Sequence, residues 1–174
     1  MKDEGGKKLI PEKAKGGSMI RVSEWMTKPV LSVEITDSIG RARRIIAEHR
    51  INQLPVLDDG KLVGIVTDRD IRDAYPTSLV IDRAKEIDTF ADTYTVEEAM
   101  SYNLITVRPA TSLANAVKLL RRHRIGSLPV VEKGKLVGII TRSNILNFVL
   151  SGKSLKEAPV RKRQQKKSRK RPGS

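Results

Sequence analysis

Apolar and polar residues follow a pattern that occurs twice along the chain. The eight residues HRINQLPV at 49–56 return as HRIGSLPV at 123–130, 74 residues later. The stretch GKLVGIVTDRDI at 60–71 returns at the same offset as GKLVGIITRSNI at 134–145. Two copies cannot form a solenoid, which needs three or more repeats. We therefore expect two similar units that pack together about a pseudo-two-fold axis.

Each copy predicts the same first elements. The stretches VLSV and LITV are rich in branched residues and predict short strands. A helix follows in each copy, because apolar residues recur at helical spacing behind an N-cap at Asp37 or Ser38 and at Thr111 or Ser112. The predicted helix faces are Ile39, Ala42, Ile45, Ile46 and His49 in the first copy, and Leu113, Ala116, Leu120 and His123 in the second.

The second half of each copy predicts a hairpin and a short helix. The stretch LPVLDDGKLVGIVT reads as an apolar strand, an Asp-Gly turn and a second strand. A final helix begins near Thr67 or Thr141. Each unit is then β-α-β-β-α, an α/β (α+β) fold that is too small to bury both faces of its sheet alone. The predicted core residues are Leu54, Val56, Val63, Ile65, Leu128, Val130, Val137 and Ile139.

The charge is unevenly distributed over the segments that the repeat defines. These segments are a flexible tail at 1–19, unit 1 at 20–75, a linker at 76–95, unit 2 at 96–150 and a basic tail at 151–174. The formal net charge is +14. From Lys153 onwards ten Lys and Arg residues accompany one acid, Glu157, whereas residues 19–152 carry a net charge of only +3.

Composition excludes several classes of protein. The chain has no Cys, which rules out disulfides, zinc-thiolate sites and thiol catalysis and fits a reducing cytoplasm. Its first residues mix acids with lysines and lack a long apolar run, so we expect no signal peptide. No stretch approaches the roughly 18 apolar residues of a membrane helix, so we expect a soluble, cytoplasmic protein without membrane contact.

The repeated motif resembles the CBS domain. Its marks are the order helix, His-Arg-Ile-x-x-Leu-Pro-Val, turn, and Gly-Lys-Leu-Val-Gly-Ile-x-Thr-x-x-Asp/Asn-Ile, which both copies carry. The whole of 20–150 resembles a tandem CBS pair, or Bateman module. Such a resemblance implies a stand-alone regulatory protein, and CBS pairs often stack into disk-like homodimers.

A ligand site is expected where TDRD (67–70) and TRSN (141–144) join a strand to a helix. The helix N-terminus and the Thr hydroxyl suit a phosphate, and Asp70 can accept from ribose hydroxyls. In the CBS family this Thr-x-x-Asp pattern holds AMP, ADP or ATP. The resemblance implies one site built from Thr67, Asp70, Gly126, Ser127 and Leu128, and a second built from Thr141, Asn144, Asn52, Gln53 and Leu54.

The two predicted sites differ in one ribose ligand. Asn144 is neutral and is a weaker acceptor than a carboxylate, so the Asp70 site should bind more tightly. In some family members the His-Arg pair reaches the nucleotide phosphates, which implies roles for His49, Arg50, His123 and Arg124. Two structural alternatives remain open, because His can stabilise a helix C-terminus and Thr, Asp and Asn are good N-caps.

Catalysis is not expected. The two His residues of the chain occupy equivalent repeat positions, which does not suit a triad or a metal cluster. The basic tail lacks apolar periodicity and aromatic residues, so we expect it to neutralise phosphates of RNA, most plausibly of the ribosome. Its predicted contacts are Arg161, Lys162, Arg163, Lys166, Lys167, Arg169, Lys170 and Arg171. Alternatives are a DNA-associated regulator, a regulatory subunit of a partner enzyme or transporter, or a merely solubilising tail.

Overall fold

The structure is a computed structural model that describes residues 19–75 and 90–155. Residues 20–75 and 90–155 belong to one compact body. In chain order its elements are a 3₁₀ helix (Val22–Glu24), β1 (Val33–Glu34), α1 (Ile39–His49), β2 (Gln53–Asp58), β3 (Lys61–Thr67), α2 (Asp68–Ala74), α3 (Val96–Ala99), α4 (Leu113–His123), β4 (Ser127–Glu132), β5 (Lys135–Thr141) and α5 (Arg142–Leu150).

Both copies form the predicted hairpin. Strand β2 pairs antiparallel with β3, β4 pairs antiparallel with β5, and β1 adds a short parallel strand beside β2. In unit 2 the predicted first strand is reduced to an isolated bridge between Val107 and Val130. Each hairpin turn has two positive φ angles, at Asp59 and Gly60 and at Lys133 and Gly134, as a two-residue type I′ turn requires.

The two long helices begin and end at equivalent positions. The Ser38 hydroxyl accepts from the Arg41 N–H at 3.1 Å, and the Ser112 hydroxyl accepts from the Asn115 N–H at 3.2 Å. Arg50 and Arg124 end α1 and α4 in the left-handed conformation. The predicted helix faces lie against the core, including the half-buried Ile45, except for the two His residues, which are exposed.

The predicted core is correct for β2 and β4 but partly wrong for the second hairpin strands. Leu54, Val56, Leu128, Val130 and Ile139 are buried, whereas Val63, Ile65 and Val137 are only half-buried. Val63 and Val137 still pack against the two cores, whereas the position of Ile65 follows from the two-residue period of a strand. Val66 and Ile140 face the helices of their own units, so the residues before them, Ile65 and Ile139, point to the opposite face, where they line the cavities described below.

The segment that leads each repeat packs into the core of the other unit. Val22, Trp25 and Met26 join the core that contains β4 and β5, whereas Val96 and Met100 join the core that contains β2 and β3.

Paired backbone hydrogen bonds fix this exchange. They join Thr27 to Ile139 at 2.9 and 3.1 Å, and Ser101 to Ile65 at 3.0 and 2.9 Å. Gly64 and Gly138 permit the close approach, because a Cβ at either position would collide with the sulfur of Met100 or Met26. The exchange ties the two units into one body and places their second strands beside each other.

Candidate functional site

A cavity of about 270 Å³ lies between the two units beside Asp70, and we call it the Asp70 cavity. Residues from β3, α2, β4 and the segment before β4 contribute to it. Its lining consists of Gln53, Ile65, Thr67, Asp70, Ser101, Asn103, Leu104, Ile105, Arg124, Ile125, Gly126, Ser127 and Pro129. Both units therefore supply its walls, and it contains one acidic and one basic side chain.

A second cavity of about 340 Å³ occupies the equivalent place around Asn144, and we call it the Asn144 cavity. Its lining consists of Thr27, Pro29, Val30, Leu31, Arg50, Ile51, Asn52, Gln53, Ile139, Thr141, Ser143, Asn144 and Asn147. This cavity contains Arg50 but no acidic residue, so the two cavities match in position and differ in charge.

The carboxylate of Asp70 is held by a capping box and keeps one oxygen free. Its Oδ2 accepts from the Thr67 N–H at 2.8 Å and from the Thr67 hydroxyl at 2.7 Å, and the Asp70 N–H donates back to that hydroxyl at 3.2 Å. Within the described residues no donor contacts Oδ1. The box fixes the rotamer of Asp70 and leaves an ionised acceptor at the cavity wall.

Asn144 makes the same box but presents the opposite hydrogen-bonding group. Its Oδ1 accepts from the Thr141 N–H and hydroxyl, both at 2.8 Å. Its Nδ2 donates to the Thr27 hydroxyl at 3.1 Å. Because the amide oxygen is used by the box, the remaining end of Asn144 is a donor, whereas the remaining end of Asp70 is an acceptor.

The expected use of the helix N-termini for phosphate does not agree with this geometry. The Thr67 and Thr141 hydroxyls donate to the box residues, so their protons are not available to a ligand. The first N–H of α2 donates to the Asn52 carbonyl at 3.0 Å, and the first N–H of α5 donates to the Gly126 carbonyl at 3.1 Å. In addition, Asp68 and Asp70 place negative charge in the first turn of α2. The arginines are better placed to hold a phosphate.

Most of the predicted site residues line the predicted cavity. Thr67, Asp70, Arg124, Gly126 and Ser127 surround the Asp70 cavity, and Thr141, Asn144, Arg50, Asn52 and Gln53 surround the Asn144 cavity.

Four predicted site residues line neither cavity, which corrects the prediction for them. Leu54 and Leu128 are fully buried, since they face the helices of their own units. His49 and His123 are exposed at the last positions of α1 and α4. Only the arginine that follows each His turns into a cavity, because the left-handed residue changes the direction of the chain.

Ser127 and Gln53 occupy equivalent repeat positions but differ in their surroundings. Ser127 is 4% exposed, and its buried hydroxyl has no hydrogen-bond partner among the described residues. Buried polar side chains normally have a partner, so this hydroxyl is suited to a ligand or an ordered water. Gln53 lines both cavities, and its Oε1 lies 2.7 Å from the position that a Cβ on Gly126 would take.

Sequence reasoning missed the segments that close the cavities from the side. Asn103, Leu104 and Ile105 line the Asp70 cavity, and Pro29, Val30 and Leu31 line the Asn144 cavity. These triplets lie 74 residues apart, so the constant offset was the available signal. The offset alone does not show that each triplet lies beside the helix start of the other unit. That placement follows from the exchange of the leading segments.

Other predicted features lie beyond the described residues or have no counterpart within them. The predicted RNA contacts between Arg161 and Arg171 lie outside the described residues, as do residues 76–89 of the predicted linker. Among residues 19–75 and 90–155, no helix is long and apolar enough to cross a membrane, and no group of His, Cys, Asp or Glu could hold a metal ion.

Two repeated units that exchange leading segments and enclose paired cavities define a tandem module of two similar domains. Residues 22–77 and 96–151 each match the family model of the CBS domain. The chain belongs to the CBS domain family, and CBS pairs are typically regulatory.

Similar proteins agree with this assignment. A CBS domain-containing protein of Dictyostelium discoideum is 30% identical over 133 residues, which are 75% of this chain and 92% of that protein. The CBS domain pair of protein MJ0100, crystallised with 5′-methylthioadenosine and S-adenosyl-L-methionine, has a TM-score of 0.65 at 30% identity, covering 78% of this chain and 100% of that one. CBSX2, crystallised with AMP, has a TM-score of 0.61 at 29% identity, covering 76% and 97%.

Proposed function

We propose that this chain is a regulatory CBS pair that binds an adenine nucleotide, AMP, ADP or ATP, in the Asp70 cavity. The observation that carries the proposal is the meeting of Asp70, Arg124 and Ser127 around one cavity formed by both units. A fixed acceptor, a cation and an unpaired buried hydroxyl are complementary to the ribose, phosphate and polar edge of a nucleotide. The ligands named for MJ0100 and CBSX2 each contain adenosine.

Each group has a specific role in this proposal. Asp70 Oδ1 accepts from the ribose hydroxyls, and the Arg124 guanidinium holds the phosphates, which it can contact with two parallel hydrogen bonds. Ile65, Ile105 and Pro129 give the adenine ring an apolar surface. In the Asn144 cavity Arg50 can hold a phosphate, but the free end of Asn144 donates instead of accepting, so this cavity should bind a nucleotide more weakly.

Asp70→Asn should weaken nucleotide binding without unfolding the protein. The Thr141–Asn144 pair shows that Asn preserves the capping box, with the same 3.2 Å bond from its backbone N–H. The substitution replaces the free acceptor with a donor and removes a charge-assisted bond worth about 1.5–3 kcal/mol. We expect a ten- to hundredfold rise in Kd for AMP, ADP or ATP by titration calorimetry.

The reciprocal variant is the matched control. Asn144→Asp should tighten binding in the Asn144 cavity, since the oxygen that replaces Nδ2 is an acceptor, and it keeps a lone pair for a ligand even when the Thr27 hydroxyl turns to donate to it. A wild-type protein that gives no heat and no rise in Tm at millimolar AMP, ADP and ATP would refute the nucleotide proposal. Equal nucleotide affinities for the wild type and Asp70→Asn would refute the proposed role of Asp70 but not the proposal that the protein binds a nucleotide.

The second part of the proposal concerns the basic tail. We propose that it docks the module on structured RNA, that of the ribosome, so that nucleotide binding modulates translation. The support is the sequence alone: a dense run of Lys and Arg with a single acid and no aromatic residue. Such a run neutralises phosphates without reading bases.

An alternative partner is a protein that docks on α5, either a second copy of this chain or a separate enzyme or transporter. Leu146, Val149 and Leu150 are exposed on this helix, with Leu146 at 63% and Leu150 at 84%. Neighbouring exposed apolar residues on one helix offer a surface that a partner could cover. If copies stack through α5, Leu146→Lys with Leu150→Lys should convert a dimer to a monomer in sedimentation velocity. If the wild-type chain is a monomer, a separate enzyme or transporter remains as the partner of this surface.

A further inference from the structure

A groove larger than either nucleotide cavity lies away from both of them. It is a groove of about 980 Å³ between the segment before α4, α4 itself and the turn of the second hairpin, and we call it the basic groove. Its charged lining residues are Arg108, Lys118, Arg122 and Lys133 against the single acid Glu132. The groove therefore has a net charge of +3, equal to that of the whole of residues 19–152.

The fold does not require three of these cations, Arg108, Arg122 and Lys133. At the equivalent positions unit 1 has Glu34 in place of Arg108, Glu48 in place of Arg122 and Asp59 in place of Lys133. The two units share the long helix, the hairpin and the two-residue turn that contains Asp59 or Lys133, both in the left-handed conformation. Packing and turn geometry are thus satisfied by acids, and the positive charge needs another reason.

Internal ion pairing does not supply that reason. In unit 1, Arg41 pairs with Asp37 at 3.4 Å and Arg44 pairs with Asp92 at 3.3 Å. Among the described residues, Arg108, Arg122 and Lys133 make no ion pair, and all three are exposed.

The dipole of α4 explains only part of the pattern. Arg122 lies in the last turn of α4, where a cation is favourable. Arg108 and Lys133 lie on no helix, so the dipole cannot account for them. Arg108, Arg122 and Lys133 come from three separate parts of the fold and line one groove, and none has an ion-pair partner among the described residues. Such a group of cations is suited to bind an anion from outside the chain.

The chemistry of the lining favours phosphate over an acidic peptide. Besides the cations the groove presents hydroxyl and amide groups of Thr106, Thr111 and Asn115, and it has no aromatic residue. A bound peptide brings an N–H donor at almost every residue and would need acceptors, but the only lining carboxylate is Glu132. A phosphodiester chain offers acceptor oxygens and one charge per nucleotide, which Arg and Lys side chains match.

We propose that the basic groove binds the phosphodiester backbone of a nucleic acid, as a site on the folded body that is distinct from the basic tail and from the nucleotide cavities. Arg108, Arg122 and Lys133 contact phosphates, and the absence of base-stacking side chains in the lining makes the binding independent of sequence. The unequal charge of the two units then orients the body, with unit 2 toward the nucleic acid.

The test uses the substitutions that the repeat itself provides. Arg108→Glu, Arg122→Glu and Lys133→Asp are combined in the full-length chain, because unit 1 accommodates these side chains at the same backbone positions. The control combines Lys28→Glu, Lys61→Glu and Arg142→Asp, which change the net charge equally at exposed positions outside the groove. Fluorescence anisotropy measures binding to labelled single-stranded and double-stranded RNA of mixed sequence, and Tm checks folding.

We expect the groove variant to bind at least tenfold more weakly than the control at the same salt. The slope of log K against log salt should fall by about two for single-stranded RNA, since three phosphate contacts are lost. Inorganic polyphosphate should compete for wild type more effectively than for the groove variant. Equal affinity for the groove variant and the control would overturn the proposal, as would poly-glutamate competing as well as polyphosphate, which would assign the groove to an acidic protein.

Discussion

Phe148→Ala should lower the free energy of unfolding by about 3–5 kcal/mol, the usual cost of removing a buried Phe. Phe148 is 1% exposed on α5 and meets the edge of the Trp25 ring, with ring centroids 5.2 Å apart. Trp25 belongs to the segment that leads the first repeat, so this contact is one of those that join the two units. Its loss creates a cavity and also weakens the exchanged packing.

The repeat shows that this aromatic pair is specific to one core. Unit 1 has Ala74 where unit 2 has Phe148, and it packs Tyr75, Phe90 and Tyr94 against its own core instead. Because Trp25 is the one aromatic residue of the described chain that packs in this core beside Phe148, we expect little relaxation into the space. Denaturant unfolding at fixed protein concentration measures the loss.

Tyr102→Ala is the matched control for this experiment. Tyr102 is an aromatic residue that is 59% exposed, so its removal should cost well under about 1 kcal/mol. A loss below about 1 kcal/mol for Phe148→Ala would show that α5 does not hold the two units together. A loss for Tyr102→Ala equal to that for Phe148→Ala would show that burial does not determine the effect.

Removing residues 156–174 should weaken RNA binding at least about a hundredfold while Tm and nucleotide affinity stay unchanged. The deleted segment contains nine Lys and Arg residues and one Glu. If about six of these cations engage phosphates, affinity of the intact chain falls about a thousandfold between 50 and 200 mM salt, and the truncated chain loses most of this dependence. Binding to ribosomal RNA in a salt series measures both quantities.

The truncation point is set by the structure. The sequence places the start of the tail at 151 or Lys153, but the Lys153 ammonium lies 5.3 Å from the centre of the Trp25 ring. Leu155 is half-buried against the second core. A deletion from Lys153 would therefore remove packing together with charge, and it should lower Tm, which makes it the control for a deletion that starts at Lys156.

The truncation distinguishes RNA binding by the basic tail from RNA binding by the basic groove. Residual binding that the groove substitutions then abolish would show that the basic groove acts without the tail. Unchanged binding after truncation would refute the tail as an RNA anchor. An intact chain that binds neither ribosomes nor free RNA at physiological salt would refute the translation hypothesis and favour the partner-enzyme alternative.

The sequence by itself determined the repeat, the order of the elements and most of the residues around the cavities. It could do so because helical and strand periods, N-caps and Asp-Gly turns are local properties, and because a repeat at constant offset transfers each assignment to the other copy. The constant offset also places Asp70 and Asn144 at equivalent positions. Because one is a carboxylate and the other a neutral amide, the sequence predicts that the two cavities bind a nucleotide with different affinities.

Only the tertiary structure decided which core each leading segment joins, which strand residues face the cleft and where the charges of the two units gather. Met26 packs on Gly138 and Met100 on Gly64, although each pair is far apart in sequence. Ile65 and Val66 are both apolar, so pattern alone could not show that Val66 faces the helices and Ile65 the cavity. These features depend on which surfaces meet when the two units pack, and contacts between distant residues leave no periodic signal in the chain.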